Sequence, residues 1–557
     1  MNPELIADTF NKWRAQGTFE SLYTIDADTY QEKWNGLFKM STPVVSKPVE
    51  YTCNGDDVFV ISDLHIASGR DKAGVYKGSE NFFADEAFDR FIAHLLSLKQ
   101  SKPALLIING DMFDFLRTTE YPGKEKKLSA TRKIVNFLKQ HKSVKPDAPA
   151  PSEIDNEFST WSTELKKVGI PMDEQQLRRN ISKRERQYGL ETNDYKTIYK
   201  LMLIKRGHPL FFTALAKWLL AGNKLLVLKG NHDVEIYWDK VQDYIRLMLA
   251  ESILSLSTDA DLKSILEWYA FPAIKFIDDS VIIDKTFYVE HGHRYDKFTM
   301  VLDGAVLPKN PDQVNIPFGS FFNRYVINRV ELYYPYLDKV RPTGNILPML
   351  IRDNFPLALK VIFQQLPFAA RMLSTRPRYL WFMFNRVIWF VLALLIPIVI
   401  LLVFDGKPFF SFFFQKKPDP DTRFVHAVTS AATALVMMVL AYVTTRLVGW
   451  FQLSEPDSLA AFAKQRSADQ SFTVMTMGHT HNPGSYIFRR ETHFYNTGTW
   501  IPVIETSDAS VRSGYSCTFL HLQRDLSGNL AVVDLGRLQR WNDDAGRTEP
   551  QLLIARK

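Results

Sequence analysis

Residues 224–233 read KLLVLKGNHD, an apolar run followed at once by a turn of Gly, Asn, His and Asp. Four further segments have the same form: VFVISDLH at 58–65, ALLIINGDMFD at 104–114, TFYVEHGH at 286–293 and FTVMTMGHTH at 472–481. Each apolar run is typical of a buried β-strand. Because the carboxyl ends of strands in an open α/β sheet meet in one crevice, the five turns are expected to form a single site.

The residue types in these turns indicate a metal centre. Imidazole, carboxylate and one amide oxygen together suit Mn²⁺, Fe or Zn²⁺ better than the all-oxygen cages of Mg²⁺ or Ca²⁺. A lone His after a strand is more often a structural hydrogen-bonding group, but five such motifs in order are not expected by chance. Two ions that share a carboxylate would use all of the candidate ligands. These are Asp63, His65, Asp111, Asn231, His291, His479 and His481.

The motifs DxH, GDxxD, GNHD, HGH and GHTH resemble those of the calcineurin-like metallophosphoesterase superfamily. The resemblance covers roughly residues 55–117, 222–300 and 470–535. It implies an α/β fold, a four-layer αββα sandwich, with two divalent metal ions at the strand ends: Mn²⁺ for preference, with Fe, Zn²⁺ or Mg²⁺ as alternatives. It also implies the ligand sets, which are Asp63, His65 and His481 for the first ion, Asn231, His291 and His479 for the second, and Asp111 as the bridge.

The same resemblance implies a role for His232 that is not metal ligation. His232 would face the substrate phosphate, where it stabilises charge or protonates the leaving oxygen, with Asp233 or Asp114 orienting its ring. The reaction implied is in-line attack on phosphorus by a metal-bridging hydroxide.

A closer resemblance is to bacterial enzymes that hydrolyse the pyrophosphate of UDP-diacylglucosamine. The segments that carry it are HGHRYD at 291–296 and FYNTGTW at 494–500. The chain differs from that group at His232, where those enzymes typically have Arg, and in its apolar runs between residues 381 and 450.

The composition is that of a chain with a sizeable core. Of 557 residues, 46% are apolar, and 68 Lys and Arg against 61 Asp and Glu leave a net charge of only +7. No basic block dominates, so nucleic-acid binding is not expected. The cysteines, Cys53 and Cys517, lack metal-binding spacing and are expected to be small buried residues.

Two long apolar runs, residues 387–404 and 424–443, predict a transmembrane helical hairpin over residues 381–450. Helices of these lengths would span about 27 and 30 Å, close to the hydrocarbon thickness of a bilayer. The alternative is a buried helical hairpin or a dimer interface. Residues 301–380 mix aromatic and basic side chains, which is typical of amphipathic helices that lie on lipid or pack on their own domain.

Because His291 precedes the hairpin and His479 follows it, an even number of crossings would return the chain to one metal centre. No segment resembling a secretory signal is present near Met1. The sequence therefore predicts an integral protein of a bacterial inner or plasma membrane whose catalytic domain faces the cytoplasm.

The predicted organisation has seven parts. Residues 1–54 are an N-terminal helical segment, 55–117, 210–300 and 451–557 are parts of the metal-binding domain, 118–209 are a charged helical insertion, 301–380 are amphipathic helices and 381–450 are the hairpin. The insertion carries a basic cluster that could be a cap selecting anionic substrates or a solvated helix face. The cluster comprises Arg178, Arg179, Lys183, Arg184 and Arg186.

The predicted function is that of a membrane-anchored phosphohydrolase that cleaves a phosphate or pyrophosphate ester of a lipid or lipid-linked substrate. Its expected partners are membrane lipids and this phosphorylated substrate. The alternatives are a phosphatase of soluble nucleotides, phosphosugars or phosphoproteins and, from another class, a non-catalytic scaffold.

Overall fold

The structure is a computed structural model of the whole chain. It describes residues 2–15, 48–122, 151–328 and 459–551, with gaps at 72, 78, 100–101, 258–260, 297, 302–303, 308, 470–471, 489–491 and 508–509, and a few residues between 340 and 359. Clustering by spatial proximity gives two compact units, residues 1–339 with 456–557, and residues 340–455. The second unit is described only at the short strand Val340–Arg341 and at a few residues beyond it.

The mixed α/β class predicted from the sequence is confirmed. The strands are β1 (Val49–Tyr51), β2 (Asp57–Ile61), β3 (Leu105–Asn109), β4 (Lys224–Leu228), β5 (Ile274–Ile277), β6 (Ser280–Ile283), β7 (Phe287–Glu290), β8 (Val306–Leu307), β9 (Asn310–Val314), β10 (Val340–Arg341), β11 (Val474–Met477), β12 (Gly484–Ile487), β13 (His493–Asn496), β14 (Val503–Ser507), β15 (Ser510–Gly514), β16 (Thr518–Arg524), β17 (Leu530–Val532), β18 (Gln539–Asn542) and β19 (Arg547–Pro550).

Two large sheets dominate the first unit. One has eight strands in the order β19-β18-β16-β2-β3-β4-β5, with β17 beside β16; the other has six in the order β1-β6-β7-β11-β13-β12. Strands β2 to β5 are parallel, as are β7 and β11, so that their carboxyl ends lie side by side within each sheet. Smaller antiparallel pairs are formed by β8 with β9 and by β14 with β15.

The helices begin and end at the following residues: α1 (Pro3–Ala15), α2 (Asp85–Leu98), α3 (Pro151–Lys167), α4 (Glu174–Arg179), α5 (Glu185–Tyr188), α6 (Asp194–Gly207), α7 (Pro209–Leu220), α8 (Asp239–Leu256), α9 (Leu262–Ile265), α10 (Phe271–Ala273), α11 (Phe318–Phe322), α12 (Leu459–Asp469) and α13 (Val533–Gly536). Short 3-10 turns occur at Val234–Tyr237 and His293–Tyr295, and π-helical turns at Leu266–Ala270 and Asn323–Ile327.

The two sheets share one apolar core. Val60, Ile107 and Leu226 of the larger sheet cluster with Val289 and Val474 of the smaller one. The intervening residues of these strands are also buried, which explains why β2, β3 and β4 are continuous apolar runs rather than alternating ones. Both faces of the larger sheet are therefore covered at these three strands.

Helices cover the outer faces. Phe59 and Val227 on the larger sheet pack in one cluster with Phe88 of α2, Trp161 of α3 and Leu215 of α7. On the smaller sheet, Tyr288 and Met475 pack with Leu459 and Ala463 of α12. The predicted insertion at 118–209 thus supplies helices to the main core over its described residues 151–209, rather than only a charged cap.

The predicted basic cluster of that insertion is partly engaged with neighbouring side chains. Arg178 lies over the ring of Phe158, and Arg184 donates to the Tyr325 hydroxyl at 2.5 Å. The segment that contains Tyr325 also packs on the chain's own first unit. Arg324 donates to the carbonyl of Gly189. For residues 318–328, these contacts favour packing on the domain, which was the alternative to lipid.

The structure corrects the predicted membrane location. In the part of the chain that is described, no helix is long and apolar enough to cross a bilayer. Helix α8 has 18 residues, but charged side chains such as Asp243 and Arg246 interrupt it, whereas a span needs about 20 mostly apolar residues. The prediction of an integral inner- or plasma-membrane protein with its catalytic domain facing the cytoplasm is wrong for these residues. The predicted hairpin at 381–450 lies outside them.

The shared core should dominate stability. Replacing Leu226, which is fully buried between the sheets, by Ala should lower the free energy of unfolding by about 2–5 kcal/mol through lost apolar contact and a residual cavity. The matched change at exposed Leu526 should alter it by less than about 0.5 kcal/mol. Urea denaturation of both variants measures this; equal effects would contradict the described core.

Candidate metal centre

All five turns singled out in the sequence follow strands. Three follow β2, β3 and β4 in the larger sheet, and two follow β7 and β11 in the smaller one. The sequence predicted a crevice at the strand ends of a single sheet. In the structure the five turns instead meet where two sheets adjoin. Two hydrogen bonds join them there: the Asn109 side chain donates to the Glu290 carbonyl at 2.9 Å, and Nδ1 of His291 lies 2.8 Å from the Asn109 carbonyl.

The backbone of these turns is strained. Positive φ angles, which are uncommon for residues other than Gly, occur at five of the seven candidate ligands. They are Asp63 at 55°, His65 at 49°, Asp111 at 51°, His479 at 69° and His481 at 57°. Strain of this kind persists only where the surrounding structure holds it in place, and it concentrates at functional sites.

Two motif glycines are required by the closeness of the ligands. A Cβ at Gly230 would lie 2.0 Å from Oδ1 of Asp111, and one at Gly110 would lie 2.4 Å from the ring of His291. The glycines of the GD and GN motifs therefore let one ligand loop lie directly against the next. This is a physical reason for the glycine that directly precedes the candidate ligand in each of these two motifs.

Asp63, His65 and His481 form one candidate metal group, with ligand atoms within 4.8 Å of one another. Nε2 of His481 lies 3.0 Å from Nε2 of His65 and 3.3 Å from Oδ1 of Asp63. The second carboxylate oxygen of Asp63 accepts from the backbone N–H of His479 at 3.0 Å, which orients it. The three ligands predicted for the first ion are brought together.

A second group adjoins the first and combines Asp63 and Asp111 with His291. Nε2 of His291 is 3.3 Å from Oδ2 of Asp111 and 4.0 Å from Oδ1 of Asp63. Oδ2 of Asp111 is also 3.6 Å from Nε2 of His65, so this carboxylate lies between the two groups, as a bridging ligand requires. Asn231 is buried, and the Ser320 hydroxyl holds its backbone carbonyl at 2.9 Å.

The ring of His479 lies beside the candidate metal groups. Its ring centroid lies 5.4 Å from that of His291. Its Nε2 is 3.2 Å from the Thr299 hydroxyl and 3.7 Å from Oδ2 of Asp296. Ligation of a metal by His479 would therefore use Nδ1. Asp296 ends the HGHRYD segment, whereas Thr299 belongs to none of the motifs singled out in the sequence.

His232 and Asp114 form the pair that the resemblance implied. Nδ1 of His232 lies 3.0 Å from Oδ2 of Asp114, and the same oxygen is 3.6 Å from Nδ1 of His65. The His232 side chain is 19% exposed, against 3% for His65 and 0% for His291. His232 also shares a candidate metal group with His65 and Asp111, so it borders the bridging carboxylate.

Asp233 has a different position from the one predicted. It was one of two candidates for orienting His232, but its carboxylate accepts from backbone N–H groups of Gly230 at 2.6 Å and Met112 at 2.8 Å. It therefore ties the GN loop to the GD loop. Burial and the nearby charge of Asp111 raise the pKa of Asp233 to about 7.

The charges of the site balance one another without a metal. Burial alone would raise the carboxyl pKa values of Asp63 and Asp111, but His291 and the other imidazoles around them lower both well below the usual range. Burial alone would lower the pKa of His65 and of His291, but the facing carboxylates raise it to about 10 and about 9. His65 and His291 are therefore protonated near neutral pH in the metal-free chain.

Three buried ligand atoms nevertheless make no hydrogen bond of normal geometry within the described ranges. They are Oδ1 of Asp63, Oδ1 of Asn231 and Nε2 of His291. Leaving a buried polar atom unpaired costs about 1–3 kcal/mol. The two oxygens are acceptors suited to divalent transition-metal ions, and Nε2 of His291 becomes one when it loses its proton. The residues present therefore fit a metal centre with imidazole, carboxylate and amide ligands.

Comparison with models of known protein families gave no match. No curated protein and no solved structure matched the chain either.

Metal affinity should depend steeply on pH. Protonated His65 and His291 cannot ligate, so binding must release about two protons. The apparent association constant for binding of the two metal ions should rise from about pH 6 to about pH 8, by up to about 100-fold per pH unit. It should level off above the raised pKa values. Calorimetric titration with Mn²⁺ in two buffers of different ionisation enthalpy counts the protons; a pH-independent affinity would contradict the described charges.

Gly230 gives a steric test of the ligand cluster. Gly230→Ala places a methyl group against Asp111 and should displace the carboxylate, with bound metal per chain falling to less than half. The control is Gly484→Ala, whose Cβ would meet only the Tyr486 side chain at an ordinary 3.4 Å. Elemental analysis after gel filtration reads out both; full metal content in Gly230→Ala would show that the loops are not so closely packed.

Proposed function

We propose that the chain is a dinuclear-metal phosphohydrolase of the calcineurin-like metallophosphoesterase type. The observation that carries the proposal is the convergence of the five motif turns on one buried cluster, in which three ligand atoms make no hydrogen bond of normal geometry. A structural cluster of histidines and carboxylates would be expected to satisfy its own hydrogen bonds. A cluster built to hold ions leaves acceptors free.

The fold supports this assignment. Helices cover the outer face of each of two sheets that share a core, which is consistent with the four-layer αββα sandwich of that superfamily. The strands that precede the motifs have their carboxyl ends at the site, as the superfamily requires. The assignment to the superfamily rests on these residues and their placement.

The proposed ligands of the first ion are Asp63, His65 and His481, which form one of the candidate groups. Those of the second ion are His291, which shares a group with Asp111, together with Asn231 and His479, which the motifs assign; Asp111 would be shared. A pair of divalent ions, Mn²⁺ for preference, supplies Lewis-acid stabilisation of phosphoryl oxygens and activation of water at neutral pH.

His232 is the residue proposed to act on the phosphoryl group itself. Asp114 is ionised, because His232 and His65 lower its carboxyl pKa against the effect of burial, so Nδ1 of His232 carries the hydrogen shared with it. Nε2 is then the atom that can hold or give up a proton. Asp114 fixes the ring, and the partly exposed imidazole can stabilise phosphoryl charge or protonate the leaving oxygen.

The part of the substrate that this site recognises is a phosphate or pyrophosphate ester. The lipid portion of the predicted substrate depended on the apolar segments outside the described residues. Lipid-linked esters and soluble nucleotides or phosphosugars are therefore compared directly in the test.

The test is hydrolysis by the purified full chain loaded with Mn²⁺. Substrates should include an aryl phosphate monoester, an aryl phosphate diester, a nucleotide-sugar pyrophosphate, and short- and long-acyl versions of one lipid-linked pyrophosphate. We expect metal-dependent release of product from at least one, abolished by chelation and restored by Mn²⁺. Asp111→Asn should lower kcat/KM by at least about 100-fold, because the bridging ligand is lost.

The matched control is Asp544→Asn, at an exposed position in the turn between β18 and β19, which should retain full activity. Hydrolysis that survives in Asp111→Asn would disconnect turnover from this cluster. Metal binding without hydrolysis of any substrate would favour the scaffold alternative. Equal rates on the two acyl lengths would assign the chain to soluble substrates.

A further inference from the structure

The Thr299 hydroxyl lies between two of the three loops that carry the proposed ligands of the second ion. Its Oγ1 donates to the backbone carbonyl of His293 at 2.8 Å, in the loop of His291. The same oxygen is 3.2 Å from Nε2 of His479, in the loop after β11. Thr299 therefore contacts both loops with one atom.

Because the Thr299 hydroxyl has a single hydrogen, it cannot donate both to the His293 carbonyl and to the His479 ring. A hydroxyl has one hydrogen, and a carbonyl oxygen can only accept. The hydrogen of Thr299 is directed to the His293 carbonyl, with the Asp296 carbonyl as a longer alternative at 3.4 Å. The Thr299 oxygen can then only accept from His479, so Nε2 of His479 carries a hydrogen.

Asp296 favours the same arrangement. Its Oδ2 is 3.7 Å from Nε2 of His479, close enough to attract an N–H there. Its other oxygen accepts from the backbone N–H of Phe298 at 2.9 Å, which holds the carboxylate in position. Two acceptors thus face Nε2 of His479.

We propose that Thr299 is a positioning residue that selects the tautomer of His479 with the hydrogen on Nε2, leaving the Nδ1 lone pair for the second metal ion. The inference rests on the proposed function. A histidine ligand is commonly fixed in this way, by a hydrogen bond from the nitrogen that does not bind the metal.

The geometry also makes the effect selective for one ion. Thr299 contacts the ring of His479 itself, a proposed ligand of the second ion, whereas Nε2 of His481 in the first group faces His65 and Asp63. Removing the Thr299 oxygen should therefore lower the affinity for the second ion and leave the affinity for the first unchanged. A general loss of structure would weaken both.

The experiment measures metal per chain and the two stepwise affinities of the full-length protein for Mn²⁺. The wild type should bind two ions. Thr299→Val, which keeps the shape and removes the oxygen, should bind the second about 10- to 100-fold more weakly and retain about one ion at limiting Mn²⁺. Thr299→Ser, which keeps the hydroxyl, should restore two ions.

Thr299→Ala removes the same oxygen without added bulk and should match Thr299→Val; it serves if the valine variant does not fold. The control is Thr160→Val, at an exposed position of α3, with two ions and unchanged affinities. Thermal unfolding of the metal-free variants should be equal to that of the wild type. Equal loss of both ions, or unchanged binding in Thr299→Val and Thr299→Ala, overturns the inference.

Failure of the underlying function is distinguishable from failure of this inference. A wild-type chain that binds no divalent ion overturns both. A wild-type chain that binds two ions and hydrolyses phosphate esters, together with a Thr299→Val variant that does the same with the same affinities, overturns only the role of Thr299.

Discussion

Two buried carboxylates, Asp63 and Asp111, are the constraint on which the candidate site depends. Both are almost fully inaccessible to water, and burying an ionised carboxylate is costly unless positive charge lies beside it. In the metal-free chain that charge comes from His65 and His291. Divalent ions would take over the same role more effectively, which is why the histidines converge on the carboxylates from strands of both sheets.

This convergence is maintained by hydrogen bonds from residues outside the proposed ligand set. Asp233 fastens two loops through backbone N–H groups, and Asn109 joins the sheets through its side chain and carbonyl. The positive φ angles of five candidate ligands are held by this framework. The surrounding hydrogen bonds thus hold the backbone strain of these five residues, and their side chains take positions at the site that a relaxed turn would not give them.

The five strand-and-turn units could be predicted from the sequence because a buried strand and the polar residues after it are local patterns. The division of those units between two sheets could not be predicted, because the pairing of the strands and the packing of the two sheets depend on residues far apart in the chain. The contacts of Asp233 and Thr299 were missed for the same reason. The membrane prediction relied on composition within 381–450, which carries no information about the fold of the described residues.

The chain closes on itself at the site. His65 and His481 face each other although 416 residues separate them. In the larger sheet β2 (residues 57–61) lies between β3 and β16, and β16 (residues 518–524) is close to the end of the described chain. Synthesis therefore delivers Asp63 and His65, two of the three members of the first ligand group, long before His481. Until β16 and the GHTH loop emerge, β2 has an open edge and Asp63 lacks His481. Folding of this sheet is a late, long-range event, and the nascent chain has to remain soluble with an unfinished centre.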